Sequence, residues 1–262
     1  MPFQQWILIY VPTWLIGTIM VAVAVGMAVG GVLLVHRFVK VNTLKSHHDI
    51  AGPIFATIGV VYAVMLSYVL IIVWQNFDKT NNNVVKEANL YADIYRDSNG
   101  LSEPFRSQFM AANTKYIDAI INDEWKLMDL GQRSLEVQKD SDEVWKLAGS
   151  FQPKNETEKI FFSEILSRMN DAGELRRQRI LDAQTGIHPM LWFILLFGGI
   201  ITVVFAFFFG SENLVAQLIM TTLLAVLIVL ILFTILIMDF PFSGDMAVSA
   251  DSLKQVLLYL KN

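Results

Sequence analysis

The sequence predicts an all-α membrane protein, with four transmembrane helices and a helical water-soluble domain inserted between the second and third. Three observations carry this. Four apolar runs, Trp6–Val35, Ile50–Trp74, Pro189–Phe209 and Leu214–Met238, each reach the roughly 20 residues that cross a bilayer, and none contains Asp, Glu, Lys or Arg. Charge is segregated: 15 Lys and Arg and 19 Asp and Glu fall between Asn76 and Ile187, giving that stretch the whole net charge of −4, while the rest of the chain carries five of each sign. Hydrophobic residues make up 54% of the chain and the mean hydropathy is +0.48, more than a soluble domain usually carries.

The first run, with Trp6, Tyr10 and Trp14 at four-residue spacing, reads as one helix with an aromatic face at the membrane interface. It lacks a basic leader and is too long for the apolar core of a signal peptide. A short basic loop, residues 35–49, joins it to the second span, so residues 1–75 form the first membrane pair. From Val60 to Asn99 there is neither Gly nor Pro, so the second span is expected to continue out of the membrane as one rod. Trp74, Phe77, Asn81, Val84, Ala88, Tyr91 and Tyr95 form a heptad-like seam along that rod, with Asn81 as a polar packing position that sets register.

The soluble domain, residues 76–187, is expected to be helical. Asn99-Gly100 stops the rod. Ser102 caps a helix running toward Trp125, a shorter helix covers residues 141–148, and Asn155 with Glu158 starts a long helix reaching about Gln184. Arg176, Arg177 and Arg179 on that helix are read as pairing with Glu174, Asp182 or lipid phosphate, and Asp123-Glu124 as an exposed helix end. His188 and Pro189 lead into the hairpin of spans three and four, residues 188–239, with Trp192 as an aromatic anchor and a tight turn at Ser211, Glu212 and Asn213. Residues 240–262 are a tail.

Composition and motifs exclude much. The charge balance offers no basic face for nucleic acid. With no cysteine, thiol catalysis, zinc–thiolate sites and disulfides are out. There is no phosphate-binding Gly-rich loop, HExxH or GxSxG, so no enzyme activity and no cofactor are expected. His47, His48 and Asp49 are the densest metal-capable cluster, and successive positions on a helix diverge too far for this to be more than a weak candidate; no metal site is expected. The absence of ionisable groups inside the spans argues against proton-coupled pumps.

Within the membrane, Ala56, Gly59, Ala63 and Ser67, with Thr57 beside them, line one face of the second span. Such a stripe serves either close helix packing or the wall of a pore. Gly26 and Gly30 in the first span form a GxxxG packing pair.

Gly52-Pro53, Trp74, Val84, Val85, Glu87-Ala88, Leu90 and Tyr91 resemble the bestrophin-like membrane proteins of bacteria and plants. So do Tyr116, Glu124-Trp125, Arg176–Leu181, Trp192 and the ending Asp239-Phe240-Pro241-Phe242-Ser243-Gly244. Bestrophins proper are oligomeric anion channels with four spans per subunit and a helical cytosolic region. The resemblance implies a multi-pass protein of the bacterial inner membrane that meets lipid, inorganic ions and further copies of itself. The dense acidic calcium-binding run after the last bestrophin span is missing here; only Asp239, Asp245 and Asp251 remain, so calcium gating and anion selectivity do not carry over. Asp239 and Asp245 are the weak candidates for cation contact. The expected function is an oligomeric ion channel lined by the second span, of unknown selectivity. The alternatives are a non-conducting sensor or scaffold whose soluble domain binds a partner, and a small-solute transporter. Arg37, Lys40 and Lys45 in the short loop pull one orientation and a larger set of basic residues near the other membrane face pulls the reverse; the resemblance leans the soluble domain to the cytoplasm.

Overall fold

The computed structural model describes residues 2–39, 48–211 and 213–261. Among these residues the fold is all helix. Ten α-helices follow in chain order: α1 (Phe3–Tyr10), α2 (Thr13–Phe38), α3 (His48–Ser98), α4 (Phe105–Ala119), α5 (Trp125–Asp129), α6 (Leu135–Gly149), α7 (Glu156–Gln184), α8 (Pro189–Phe207), α9 (Leu214–Asp239) and α10 (Asp251–Lys261). A single π-helical turn, Ile120–Glu124, joins α4 to α5. The chain divides into two compact units. One is assembled from residues 1–9, 77–185 and 240–262, and the other from residues 10–76 and 186–239.

The second of these units is the membrane unit. Four helices are long and apolar enough to span: α2, α3, α8 and α9. The first run is not one helix, however. It breaks at Val11-Pro12, because proline removes a backbone donor and disfavours helical geometry at the residue before it. Trp6 and Trp14 therefore lie on different helices, and the span proper starts at Thr13. α2 packs along α9 through Ala24, Ala28 and Ala225, small side chains that let two backbones approach in lipid. Gly17 belongs to the same contact, since a Cβ there would meet the Phe233 ring at 3.1 Å. Tyr62 of α3 lies against Gly198 and Gly199 of α8 and donates to the Leu195 carbonyl at 3.0 Å. At the other end of these helices, the Gln217 carboxamide is 2.7 Å from His36 Nε2 and donates to the Phe207 carbonyl at 3.2 Å. A buried amide so satisfied costs little in an apolar bundle.

The other unit is the soluble one. Its core gathers Ala88, Tyr91 and Ile94 of α3, Phe109, Tyr116 and Ile117 of α4, Val137 and Val144 of α6, and Ile165, Met169 and Ala172 of α7. Val84, Ala88 and Tyr91 of the expected seam are buried here. Asn81 is exposed, so within the chain it sets no packing register. α3 is unbroken for 51 residues, about 75 Å at 1.5 Å per residue, as the Gly- and Pro-free stretch requires.

α7 starts as expected: Asn155 Oδ1 accepts from the Glu158 N–H at 2.9 Å, and the Glu158 carboxylate accepts from the Lys154 N–H at 2.7 Å. Other boundaries differ. Glu103, not Ser102, accepts the Ser107 N–H at the start of α4, at 3.2 Å. α6 begins six residues earlier than expected because Ser134 caps it through the Val137 N–H at 3.2 Å. The last residues are no loose tail. Leu253, Leu257 and Leu260 recur on one face of α10 and close the core, and Lys261 pairs with Asp118 at 3.0 Å.

Candidate functional site

Two places in the molecule concentrate unusual side chains. The first is the exposed face of α3 within the membrane unit. Tyr62, Leu66, Val69 and Val73 form its buried side. Ala56, Ala63 and Ser67 lie exposed about a third of a turn round from that side, Thr57 lies exposed opposite it, and a Cβ built on Gly59 would meet nothing within 4 Å. The small-residue stripe is therefore not consumed by packing within the chain. Thr57 turns its hydroxyl back to the Pro53 carbonyl at 2.9 Å, which spares it an unmet donor among apolar neighbours. Val60, Val64, Tyr68 and Ile71 share the exposed surface, and Trp74, on the line of Ala56, Ala63 and Ser67, is 59% exposed. A groove of about 480 Å³ between α2, α8 and α9, lined by residues such as Val23, Met27, Ile200 and Leu232, is wholly apolar and suits no ion.

Gly26 and Gly30 do not pack within the chain, since both are exposed with open space around them. The α9 contact uses Ala24 and Ala28, about 200° round the helix from the glycines. Asp239 is buried and occupied: it accepts from the Ile187 N–H at 2.7 Å and from Trp192 Nε1 at 3.0 Å, tying the start of α8 to the end of α9. Trp192 is thus a buried donor in this chain. His188 caps α8, its Nδ1 accepting from the Met190 N–H at 3.2 Å. Asp245, in the soluble unit, is exposed. His47 and the His48 side chain lie outside the described residues, Asp49 is exposed in the first turn of α3, and no group of three metal-capable side chains occurs among the described residues.

The second place is a cluster of four charges inside the soluble unit. Glu87 of α3 and Glu124 of the π-turn are 0% exposed, Arg179 of α7 is 1% and Arg176 is 5%. Arg179 donates to both Glu87 oxygens, at 2.7 and 3.0 Å, and reaches Glu124 at 3.3 Å. Arg176 grips Glu124 with a two-pronged contact at 2.6 and 3.0 Å and donates to Gln138 at 3.0 Å. Trp125 lies under the Arg179 guanidinium at 5.0 Å, and Tyr116 under that of Arg176 at 5.8 Å. The Tyr91 hydroxyl donates to Glu87 at 3.3 Å. Burial opposes the charge on each arginine, yet the facing carboxylates win and raise both guanidinium pKa values above the ordinary one. Burial likewise pushes the Tyr116 phenol up, against the opposing Arg176 charge.

This cluster overturns two expectations. Glu124 is no exposed helix end: it follows the buried Ile117 and Ile120 by seven and four residues, a helical spacing that places it on the same inner face. Arg176 and Arg179 pair across helices; Asp182 instead accepts from Thr80 Oγ1 at 2.8 Å and Gln178 Nε2 at 2.7 Å, and Arg177 alone of the three faces out. The sequence held the signal. Glu87 lies between Val84, Ala88 and Tyr91 on the apolar seam, and Arg176 and Arg179 follow Met169 and Ala172 on the inner face of α7, so each charge stood on a buried stripe.

Comparison with known proteins comes down on one family. The model of the Bestrophin-like domain matches residues 22–253. No curated protein matches the chain. Among solved structures, a variant of a bacterial bestrophin homologue from Klebsiella pneumoniae superposes with a TM-score of 0.70 at 9% identity, covering 94% of this chain and 99% of that one. Another structure of the Klebsiella pneumoniae homologue gives 0.64 at 11% identity, over 93% and 97%. A structure titled only as a membrane protein variant gives 0.68 at 10% identity, over 94% and 98%. At such identities the likeness is one of fold, with four spans and an all-helical soluble unit. With the family model covering most of its length, the chain belongs to the bestrophin-like family.

Proposed function

We propose that the protein is an oligomeric ion channel in which α3 of each subunit faces a central pore, with Ala56, Thr57, Gly59, Ala63 and Ser67 along the conduction path. One observation carries the reading: a stripe of small and hydroxyl-bearing residues on a transmembrane helix is left open by its own chain, while the packing within the chain uses a different side of that helix, Tyr62, Leu66, Val69 and Val73. A pore lined this way offers room for water without a fixed charge, and a hydrophobic constriction is enough to gate it. Membership of the bestrophin-like family supports a channel at the level of the family. The partners in this reading are the lipid bilayer, inorganic ions and further copies of the same chain.

The test is ion flux into liposomes containing purified wild type, Ala63→Trp and Ser67→Asp, each sized by light scattering. In a wet pore, Ala63→Trp blocks flux with assembly intact, and Ser67→Asp is tolerated and shifts selectivity toward cations. On a dry packing face, Ala63→Trp overfills the contact at about 1–3 kcal/mol and the oligomer loosens. Absence of wild-type flux for any common ion removes the channel and favours a sensor or scaffold.

A further inference from the structure

The short stretch from Glu124 to Gly131 touches every segment of the soluble unit that leads to or from a transmembrane helix. Glu124 holds Arg176 and Arg179 of α7, which continues toward α8, and through Arg179 it holds Glu87 of α3. Trp125 Nε1 donates to the Val248 carbonyl at 3.3 Å, and its ring meets Phe242 edge-on at 5.6 Å. The Asp129 carbonyl accepts from Ser243 Oγ at 2.8 Å, and its carboxylate from the Gly244 N–H at 3.3 Å, both in the segment after α9. Gly131, at φ +65°, leaves space for Gln5 of α1, which donates to the Ala183 carbonyl of α7 and to Ser243, each at 3.2 Å. The segments before the first and third spans and after the second and fourth thus converge on eight residues of one turn-and-helix.

We infer that this stretch is a mechanical junction, which makes these four segments of the soluble unit move as one body, with the Glu87–Arg179–Glu124–Arg176 cluster as its fixed link to α3. A two-pronged ion pair shut away from bulk solvent has one arrangement, and a displaced α7 must carry Glu87 with it. The consequence for conduction rests on the channel reading above; the mechanical statement does not.

The experiment replaces the link with apolar side chains of similar length, Glu87→Met with Arg179→Met. Glu124 and Arg176 still pair, so no buried charge is orphaned and the fold persists. The chain has no cysteine, so spin labels can be placed by Asn89→Cys paired with Met246→Cys, and by Asn89→Cys paired with Leu181→Cys. Labelled chains are diluted with unlabelled ones so that distances within a subunit are read. The junction predicts narrow distance distributions in the otherwise unaltered protein and broadening of both in the double variant, including the pair that reports on the distant segment after α9. Broadening of the Asn89–Leu181 pair alone overturns the junction, leaving only a local α3–α7 clasp, and so does no broadening at all. For conduction, the double variant changes flux per oligomer several-fold with selectivity unaltered; unchanged flux beside broadened distances overturns that consequence. A silent wild type sinks the channel reading, and the distances still decide the junction.

Discussion

Arg179 shows what one side chain can hold. Its guanidinium, buried in the core, serves Glu87, Glu124 and the Met128 sulfur at once. Arg179→Ala leaves Glu87 buried and without its cation, a loss of about 3–5 kcal/mol, whereas the paired methionine replacement is close to neutral. Thermal unfolding in detergent measures the contrast: the single variant falls by on the order of 10 °C and the pair by far less. Tyr116 gives the matching pH prediction. Because its folded pKa is raised, its contribution to stability is complete below the unfolded value of about 10 and is lost as pH rises through the folded one. Denaturation midpoints followed from pH 9 upward fall for wild type and fall less for Tyr116→Phe. These roles were only half legible. Seeing Glu87 among Val84, Ala88 and Tyr91 marks it as buried, but nothing local names Arg179, 92 positions away, as its partner. A cation's partner across a core is set by tertiary packing, while its burial is set by periodicity.

Among the elements, those governed by local rules are the ones a sequence exposes. The α3 rod follows from a run without Gly or Pro, and the start of α7 from an Asn with a Glu three residues on. The break at Pro12 follows from a local rule as well, since proline disfavours helical geometry at the residue before it. The π-turn was not visible, because the spacing of its residues is that of an ordinary helix. α10 follows the same rule: Leu253, Leu257 and Leu260 have the helical spacing of a buried face. Leu253→Ala in the closed core is expected to cost about 2–5 kcal/mol in a chemical unfolding titration. The turn that precedes α10 is equally constrained. Gly244 sits at φ +83°, and a Cβ there would come 3.0 Å from the Leu8 carbonyl. Gly244→Ala should lose roughly 1–2 kcal/mol or more in the same titration from the left-handed backbone alone.

For the molecule as a whole, the four spans and the soluble insertion were legible because hydropathy and charge are segregated along the chain; the pore face was legible only as one of two readings of a small-residue stripe. Orientation and assembly call for direct measurement. With the soluble unit in the cytoplasm, a lone reporter introduced by Lys139→Cys, on the exposed start of α6, resists a membrane-impermeant thiol reagent in intact cells and reacts after permeabilisation. Labelling in intact cells reverses the topology. Light scattering in mild detergent should return a homo-oligomer, and a monomer at all concentrations contradicts the assembly. One consequence of the division into units concerns synthesis. The soluble unit is built from residues 1–9, 77–185 and 240–262, three pieces separated by membrane spans. Its middle piece emerges from the ribosome with the core still open where Leu253, Leu257 and Leu260 will sit, and with Asp129 still lacking Ser243 and Gly244. The domain therefore completes itself only after all four spans have been threaded, and a chain whose last pair fails to insert is left displaying an unfinished core to the cell's chaperones and proteases.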